Sequence, residues 1–286
     1  MLKSPAEIFE AISHLGIQKG TASLRKLCAL AFIAGLFLSL GGLVSAVGAS
    51  RVSVSMEGDA ISVSHFANYF TYAALFPMGL ILIFCCGAEL FTGNNLYLII
   101  SCFNKTITIK QVLRNWSIVW VFNFLGSIFA IFVFARFSGV VASDSLPAAF
   151  IQNLAETKIS LSFVEIFFRG IGSNFLICAG SWMAIGSQDI FSRGFSIWLA
   201  AFIFVFNGFE HSIANMFSLP LGYIVGGDFP LWKVFYQIIV TTVGNIVGGA
   251  FIVGLVYWLA FSEAPKQSTQ TENDEEMVDK KNEPIV

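Results

Sequence analysis

Polar and apolar residues along this chain are segregated on the scale of a bilayer. Six long apolar stretches, 27–48, 66–100, 116–139, 163–186, 195–225 and 233–261, are separated by short polar connections. Each supplies the roughly 20 residues that a helix needs to cross about 30 Å of hydrocarbon. The pattern therefore predicts an all-α integral membrane protein of six transmembrane helices. Two stretches, 66–100 and 195–225, are too long for one plain helix, and both are interrupted by Gly, Asn and Glu. Non-helical backbone at that depth is tolerated only inside protein or beside a cavity, so helices 2 and 5 are expected to be pairs of half-helices around a break.

The interruptions echo each other. Gly87-Ala88-Glu89 through Asn94 and Gly208-Phe209-Glu210 through Asn215 both read Gly-x-Glu-x-x-x-x-Asn, 121 residues apart. Asn123-x-x-Gly126 and Asn245-x-x-Gly248 repeat at a spacing of 122. Together they indicate one duplicated three-helix unit, about 27–140 and 163–261. Three passes are an odd number, so the second copy enters from the opposite side, giving an inverted repeat of the kind found in transporters and pores.

Ahead of the first pass, Ser4-Pro5-Ala6-Glu7 is a helix start with an N-cap serine and a glutamate three residues on. It opens an amphipathic segment, 1–26, read as an interfacial cytoplasmic helix. Lys19, Arg25 and Lys26 before pass one, and Lys105, Lys110 and Arg114 after pass two, outweigh Arg51 in the first loop. That asymmetry places both termini in the cytoplasm. The acids Glu272, Asp274, Glu275, Glu276, Asp279 and Glu283 crowd into 262–286, read as a disordered solvated tail. No cleaved leader is expected.

Only 12% of residues are charged, about half the usual soluble share, so a charge inside a pass calls for an explanation. Glu89 and Glu210 are costly at mid-membrane unless paired. The expectation is that each accepts backbone N–H groups of its broken helix, with a proton relay or cation site as the alternative. His211 stands in the second break with no repeat mate, since Leu90 occupies the matching position, and is assigned to the pore. Thr92 brings a hydroxyl to the first break, either for an anion or as a helix cap. Phe76, Leu80, Leu90, Phe91 and Phe204 lie near the breaks and can form apolar constrictions, although with 31 Phe in the chain packing is the default for any one of them. Asn123 and Asn245 read as interhelical hydrogen-bonding amides; Asn174 can face the pore. Lys158, before pass four, can concentrate anions at a pore mouth or be a plain surface lysine. The five cysteines lie in or beside apolar runs and suggest buried thiols. No metal site, cofactor or nucleic-acid partner is expected.

The runs Phe76-Pro77-Met78-Gly79, Glu89-Leu90-Phe91-Thr92-Gly93-Asn94 and Asn207-Gly208-Phe209-Glu210-His211-Ser212-Ile213-Ala214-Asn215-Met216 closely resemble the signatures of formate/nitrite transporters. The resemblance spans both repeats. It implies a homopentamer in the cell membrane, an aquaporin-like protomer with its own pore, and transport of small monovalent weak-acid anions, formate foremost, coupled to protons through the pore histidine, with His211 or water as the proton source. Nitrite, hydrosulfide, acetate and lactate are alternatives within the same pore. By motif position His211 is similar to the family's central histidine, Thr92 to its loop threonine, Lys158 to its vestibule lysine and Asn174 to the histidine's neighbour. Phe76, Leu80, Leu90, Phe91 and Phe204 match its two constrictions. The competing classes are an intramembrane enzyme with Glu210 and His211 as acid and base, and a structural scaffold.

Overall fold

The computed structural model describes residues 2–52, 55–57, 60–62 and 65–262. Beyond Ser262, the acidic tail expected at 262–286 lies outside the described residues. Twelve helices account for nearly all of the described chain: α1 Pro5–Gly20, α2 Leu24–Val52, α3 His65–Leu75, α4 Pro77–Cys86, α5 Phe91–Phe103, α6 Ile109–Ala130, α7 Leu146–Ile159, α8 Phe163–Gly186, α9 Ile190–Phe206, α10 Ser212–Ile224, α11 Leu231–Ile246 and α12 Val256–Phe261. π-Helical stretches extend α6 over Ile131–Phe137 and join α11 to α12 over Val247–Leu255. Among the described residues five spans, Leu24–Val52, Phe66–Cys86, Ile109–Phe137, Phe163–Gly186 and Leu231–Phe261, are long and apolar enough to cross a membrane, and Ile190–Phe206 is a shorter apolar helix.

One element had no counterpart in the hydrophobic pattern. The first loop carries an antiparallel hairpin, β1 Ser55–Glu57 with β2 Ala60–Ser62.

Local chemistry explains the helix ends. Ser4 caps α1 by accepting the Glu7 N–H at 3.3 Å, while the Glu7 carboxylate accepts the Ser4 N–H at 2.6 Å. Those Ser4 donors hold the Glu7 carboxyl below the usual carboxylate range. Thr108 and Ser162 build the same reciprocal cap on α6 and α8. Both long passes break where expected. Gly87 and Gly208 close α4 and α9 with φ of 73° and 66°, a left-handed conformation that costs glycine nothing. Pass two carries a second discontinuity at Phe76–Pro77, where Pro77 opens α4.

The repeat is visible in packing as well as sequence. A Cβ on Gly126 would fall onto the Phe32 carbonyl oxygen, and one on Gly248 onto that of Ile171. The hydrogen at both positions therefore lets α6 ride directly on α2, and the start of the π-helical stretch after α11 on α8, the close approach that small residues permit between apolar helices. The amphipathic helix α1 packs on protein: it buries Ile8, Phe9 and Ile12, and Ser101 and Asn104 of the α5 end bond to Ser13 at 2.7 and 3.0 Å. Its last turn points Lys19 inward.

Candidate pore and its two vestibules

Two asparagines hold the broken backbones. Asn123 Oδ1 accepts the Phe91 N–H at 3.1 Å, and its Nδ2 donates to the carbonyls of Ala31 and Glu89 at 2.8 and 2.9 Å. Asn245 does the same in the second repeat: Oδ1 accepts the Ser212 N–H at 2.9 Å, and Nδ2 reaches the carbonyls of Gly170 and Glu210 at 2.7 and 3.0 Å. These amides satisfy backbone groups that the breaks free inside an apolar interior, where each orphan costs about 1–3 kcal/mol. Asn123→Leu leaves the Phe91 N–H and the Glu89 carbonyl of the break unpaired, while the Ala31 carbonyl stays in the α2 ladder, and is expected to lower stability by about 2 kcal/mol or more. Thermal unfolding in detergent checks this, and a midpoint equal to native would remove the clamp role.

The buried carboxylates are satisfied differently from the sequence expectation. Backbone N–H groups were expected to hold them; side chains do so instead. Glu89 accepts from Lys19 Nζ and Asn94 Nδ2, both at 2.8 Å. Glu210 accepts from Lys158 Nζ at 2.9 Å on each oxygen, and from Asn215 Nδ2 and Gln237 Nε2 at 2.8 Å. The backbone N–H groups of Glu89 and Glu210 are used elsewhere, on the carbonyls of Leu30 and Arg169. Asn94 also donates to Asn115 at 2.9 Å, as Asn215 does to Gln237 at 2.8 Å. An ionised carboxylate meets charged and amide donors at close range, which is what burial of a charge demands. Lys158 is accordingly no free surface lysine.

Two cavities enter the protein from opposite ends of α8. The first, of about 670 Å³, is lined by Tyr69, Tyr72, Phe76, Lys158, Arg169, Phe204, Glu210 and His211 among others. The second, of about 550 Å³, is lined by Lys19, Lys26, Phe84, Glu89, Leu90, Gly93, Asn94, Tyr97, Ala184, Ile185 and Arg193 among others. Arg169 in one and Ala184 in the other lie about 22 Å apart along the helix axis at a 1.5 Å rise per residue.

Between them, His211 lines the first cavity, whereas Thr92 lines neither and stands next in sequence to Gly93 of the second. Thr92, in the first turn of α5, lies 3.0 Å through Oγ1 from His211 Nε2, and both residues are buried. His211 is the N-cap of α10, and its Nδ1 accepts the Ala214 N–H at 3.1 Å. An Nδ1 that accepts carries no proton, so the neutral ring keeps its proton on Nε2 and donates it to Thr92. The Thr92 hydroxyl hydrogen is left to point elsewhere. Phe204 stacks on the His211 ring at 5.6 Å, and Phe76 meets Phe204 edge-on at 5.9 Å. These three rings floor the first cavity, and Leu90 lines the second.

Leu80 and Phe91 are buried and line neither cavity; Phe91 packs edge-on to Trp116 at 6.1 Å. Asn174 lines neither cavity either. It donates to the Asn245 carbonyl at 2.7 Å and takes a weak bond from Cys178 Sγ at 3.7 Å. Asn115, Gln237 and Arg169 were not singled out from sequence, and Lys19 entered only as a charge that sets topology. The 122-residue spacing linking Asn123 to Asn245 also links Asn115 to Gln237, and was the signal available for that pair. Among the described residues no cluster of three His, Cys, Asp or Glu side chains could hold a metal.

Against known proteins, residues 6–259 match the model of the family described as formate/nitrite transporter. A relative named "Probable formate transporter" from Methanothermobacter thermautotrophicus is 35% identical over 277 residues, covering 91% of this chain and 97% of its own. A solved "FNT family ion channel" superposes with a TM-score of 0.78 at 22% identity, covering 89% of this chain and 98% of that one. A second, titled "Pentameric formate channel with formate bound", gives 0.67 at 25% identity, with 84% and 98% covered.

Proposed function

Since the chain belongs to the formate/nitrite transporter family, a multi-pass membrane family of transporters and not enzymes, we propose that it carries small monovalent weak-acid anions, formate first, together with protons. The observation that carries this reading is the Thr92–His211 bond, a polar contact between two opposed vestibules and beneath a floor of phenyl rings. Formate is favoured because relatives covering nearly all of the chain carry formate in their names. The same resemblance supports a homopentamer of six-pass protomers, with α9 and α10 together making the fifth pass, in the cell membrane and with both termini cytoplasmic.

In this reading the anion enters a vestibule and reaches the apolar layer of Phe76 and Phe204 or, from the other side, Leu90. A bare charge crosses such a layer at high cost. Taking a proton from vestibule water, HCOO⁻ and H₃O⁺ become HCOOH and H₂O, and the neutral acid passes. His211 is not the proton source. Giving up the Nε2 proton requires one on Nδ1 in its place, and there the Ala214 N–H points at the nitrogen. The ring instead holds Thr92, a hydroxyl buried between the two cavities on the path the solute takes. Glu210 is occupied by Lys158, Asn215 and Gln237, which leaves it a structural part.

The test is uptake of labelled formate into proteoliposomes with internal pH recorded. Flux that rises as the outside is acidified, with inward proton movement matching formate, is the expected result. A formate current without proton movement would remove the neutral-acid mechanism, and absence of flux for formate and every related small anion would remove the transport reading.

A further inference from the structure

The first vestibule is lined by two cations, and only one of them is fully engaged. Lys158 gives its ammonium to both Glu210 oxygens at 2.9 Å, so the pair presents little net charge to an approaching ion. Arg169, from the second turn of α8, is held more loosely. Its Nη1 reaches the Gly208 carbonyl oxygen at 3.5 Å, and its Nη2 lies 3.8 Å from Glu165 Oε1 where both side chains are over a third exposed, at 37% and 49%. A guanidinium carries five donors in a planar fork, and these two long contacts leave most of them available.

Tyr69 lines the same cavity. A Cβ built on Gly208 would lie 3.2 Å from Tyr69 Oη and 3.8 Å from Arg169 Nη1. The hydroxyl and the guanidinium therefore converge over the bare α-carbon of Gly208, two residues before Glu210. A side chain at 208 would stand between them and would also have to adopt the φ of 66° found there.

We propose that Arg169 and Tyr69, converging over Gly208, form a receiving site for a planar two-oxygen anion in the first vestibule. A carboxylate docks on the guanidinium edge through two parallel N–H···O bonds, the geometry that a planar fork matches and an ammonium does not. The Tyr69 hydroxyl supplies a third donor. The inference rests on the transport reading and narrows it. Monocarboxylates and nitrite share the two-oxygen edge, whereas hydrosulfide is a near-spherical charge that a point cation serves equally well. Lys158, committed to Glu210, is then the structural lysine of this vestibule, and Arg169 the one that meets the solute.

Two measurements on the full-length protein test this. Saturation-transfer NMR on the formate proton reads binding to the detergent-solubilised protein without any flux, and proteoliposome uptake gives the apparent KM for formate and for hydrosulfide. Arg169→Gln is expected to weaken formate binding and raise its KM about tenfold. Arg169→Lys is expected to restore the hydrosulfide KM to within about twofold of native while formate stays weakened. Tyr69→Phe removes one hydroxyl from a half-exposed ring and is expected to weaken formate about threefold, which keeps the test open should an Arg169 variant fail to fold. Formate binding within twofold of native in Arg169→Gln, or full recovery of formate in Arg169→Lys, overturns the assignment. A native chain that carries no anion overturns the transport reading instead, and the NMR comparison still decides whether Arg169 binds formate.

Discussion

Glu210→Leu is expected to destabilise the protein by about 3–5 kcal/mol, the cost typical of removing one partner from a buried ion pair. The carboxylate accepts two bonds from Lys158 and one each from Asn215 and Gln237. Its side chain is only 2% exposed and that of Lys158 16%. Leucine leaves the ammonium with no counter-charge and the buried amides of Asn215 and Gln237 without their acceptor. Deleting both charges, as Lys158→Met with Glu210→Leu, replaces the pair by apolar groups of similar volume and is expected to recover most of the loss. For a chain of this size the single variant should unfold about 6–20 °C below native in a detergent melt. Equal midpoints for the single and double variants would show that the lysine finds another partner and that the pair is not coupled.

That pair also shows what was legible in the sequence and what was not. The carboxylates announced themselves, because an acid inside an apolar run has few innocent explanations. The duplicated Gly-x-Glu-x-x-x-x-Asn placed both helix breaks, and the two left-handed glycines stand where the pattern put them. One spacing linked Asn123 and Asn245, and in the structure each bonds a neighbouring helix and its own break. The partners of the acids were hidden. Lys19 lies 70 residues from Glu89 in an amphipathic helix whose pattern resembles that of a surface helix. Its apolar side faces α5 and α8, and hydropathy does not distinguish a protein surface from a lipid one. Arg169 carried no signal in the sequence, and only the path of the chain at Gly208 brings Tyr69, about a hundred residues earlier in sequence, to meet it. The first-loop hairpin is too short to carry a period, and the π-helical stretches fall in runs so uniformly apolar that no change of phase can be read. Motif position grouped Thr92, Leu80, Phe91 and Asn174 with the pore, yet none of them lines either cavity, because all four are buried in the packing between helices.

Flux should fall about a hundredfold in His211→Phe and by less than about tenfold in His211→Asn. Phenylalanine preserves ring volume and the stack on Phe204, but it removes the donor facing Thr92 and the acceptor of the Ala214 N–H. The two bonds lost with the imidazole, to Thr92 and from Ala214, are each worth about 0.5–1.5 kcal/mol, and each 1.36 kcal/mol is about tenfold in rate. Asparagine is a strong N-cap residue, so its carbonyl oxygen can take the Ala214 N–H while its amide offers a donor toward Thr92. It has no titrating group. If the proton on the passing acid comes from vestibule water, the asparagine variant keeps the native rise of flux in acid as well as most of the flux itself. Should it be as inactive as His211→Phe, or carry formate with no dependence on pH, the imidazole itself must be exchanging protons. The Ala214 bond to Nδ1 would then have to open in every transport cycle. Hydrogen exchange at that amide, protected in the resting protein and accelerated during transport, would register such an opening.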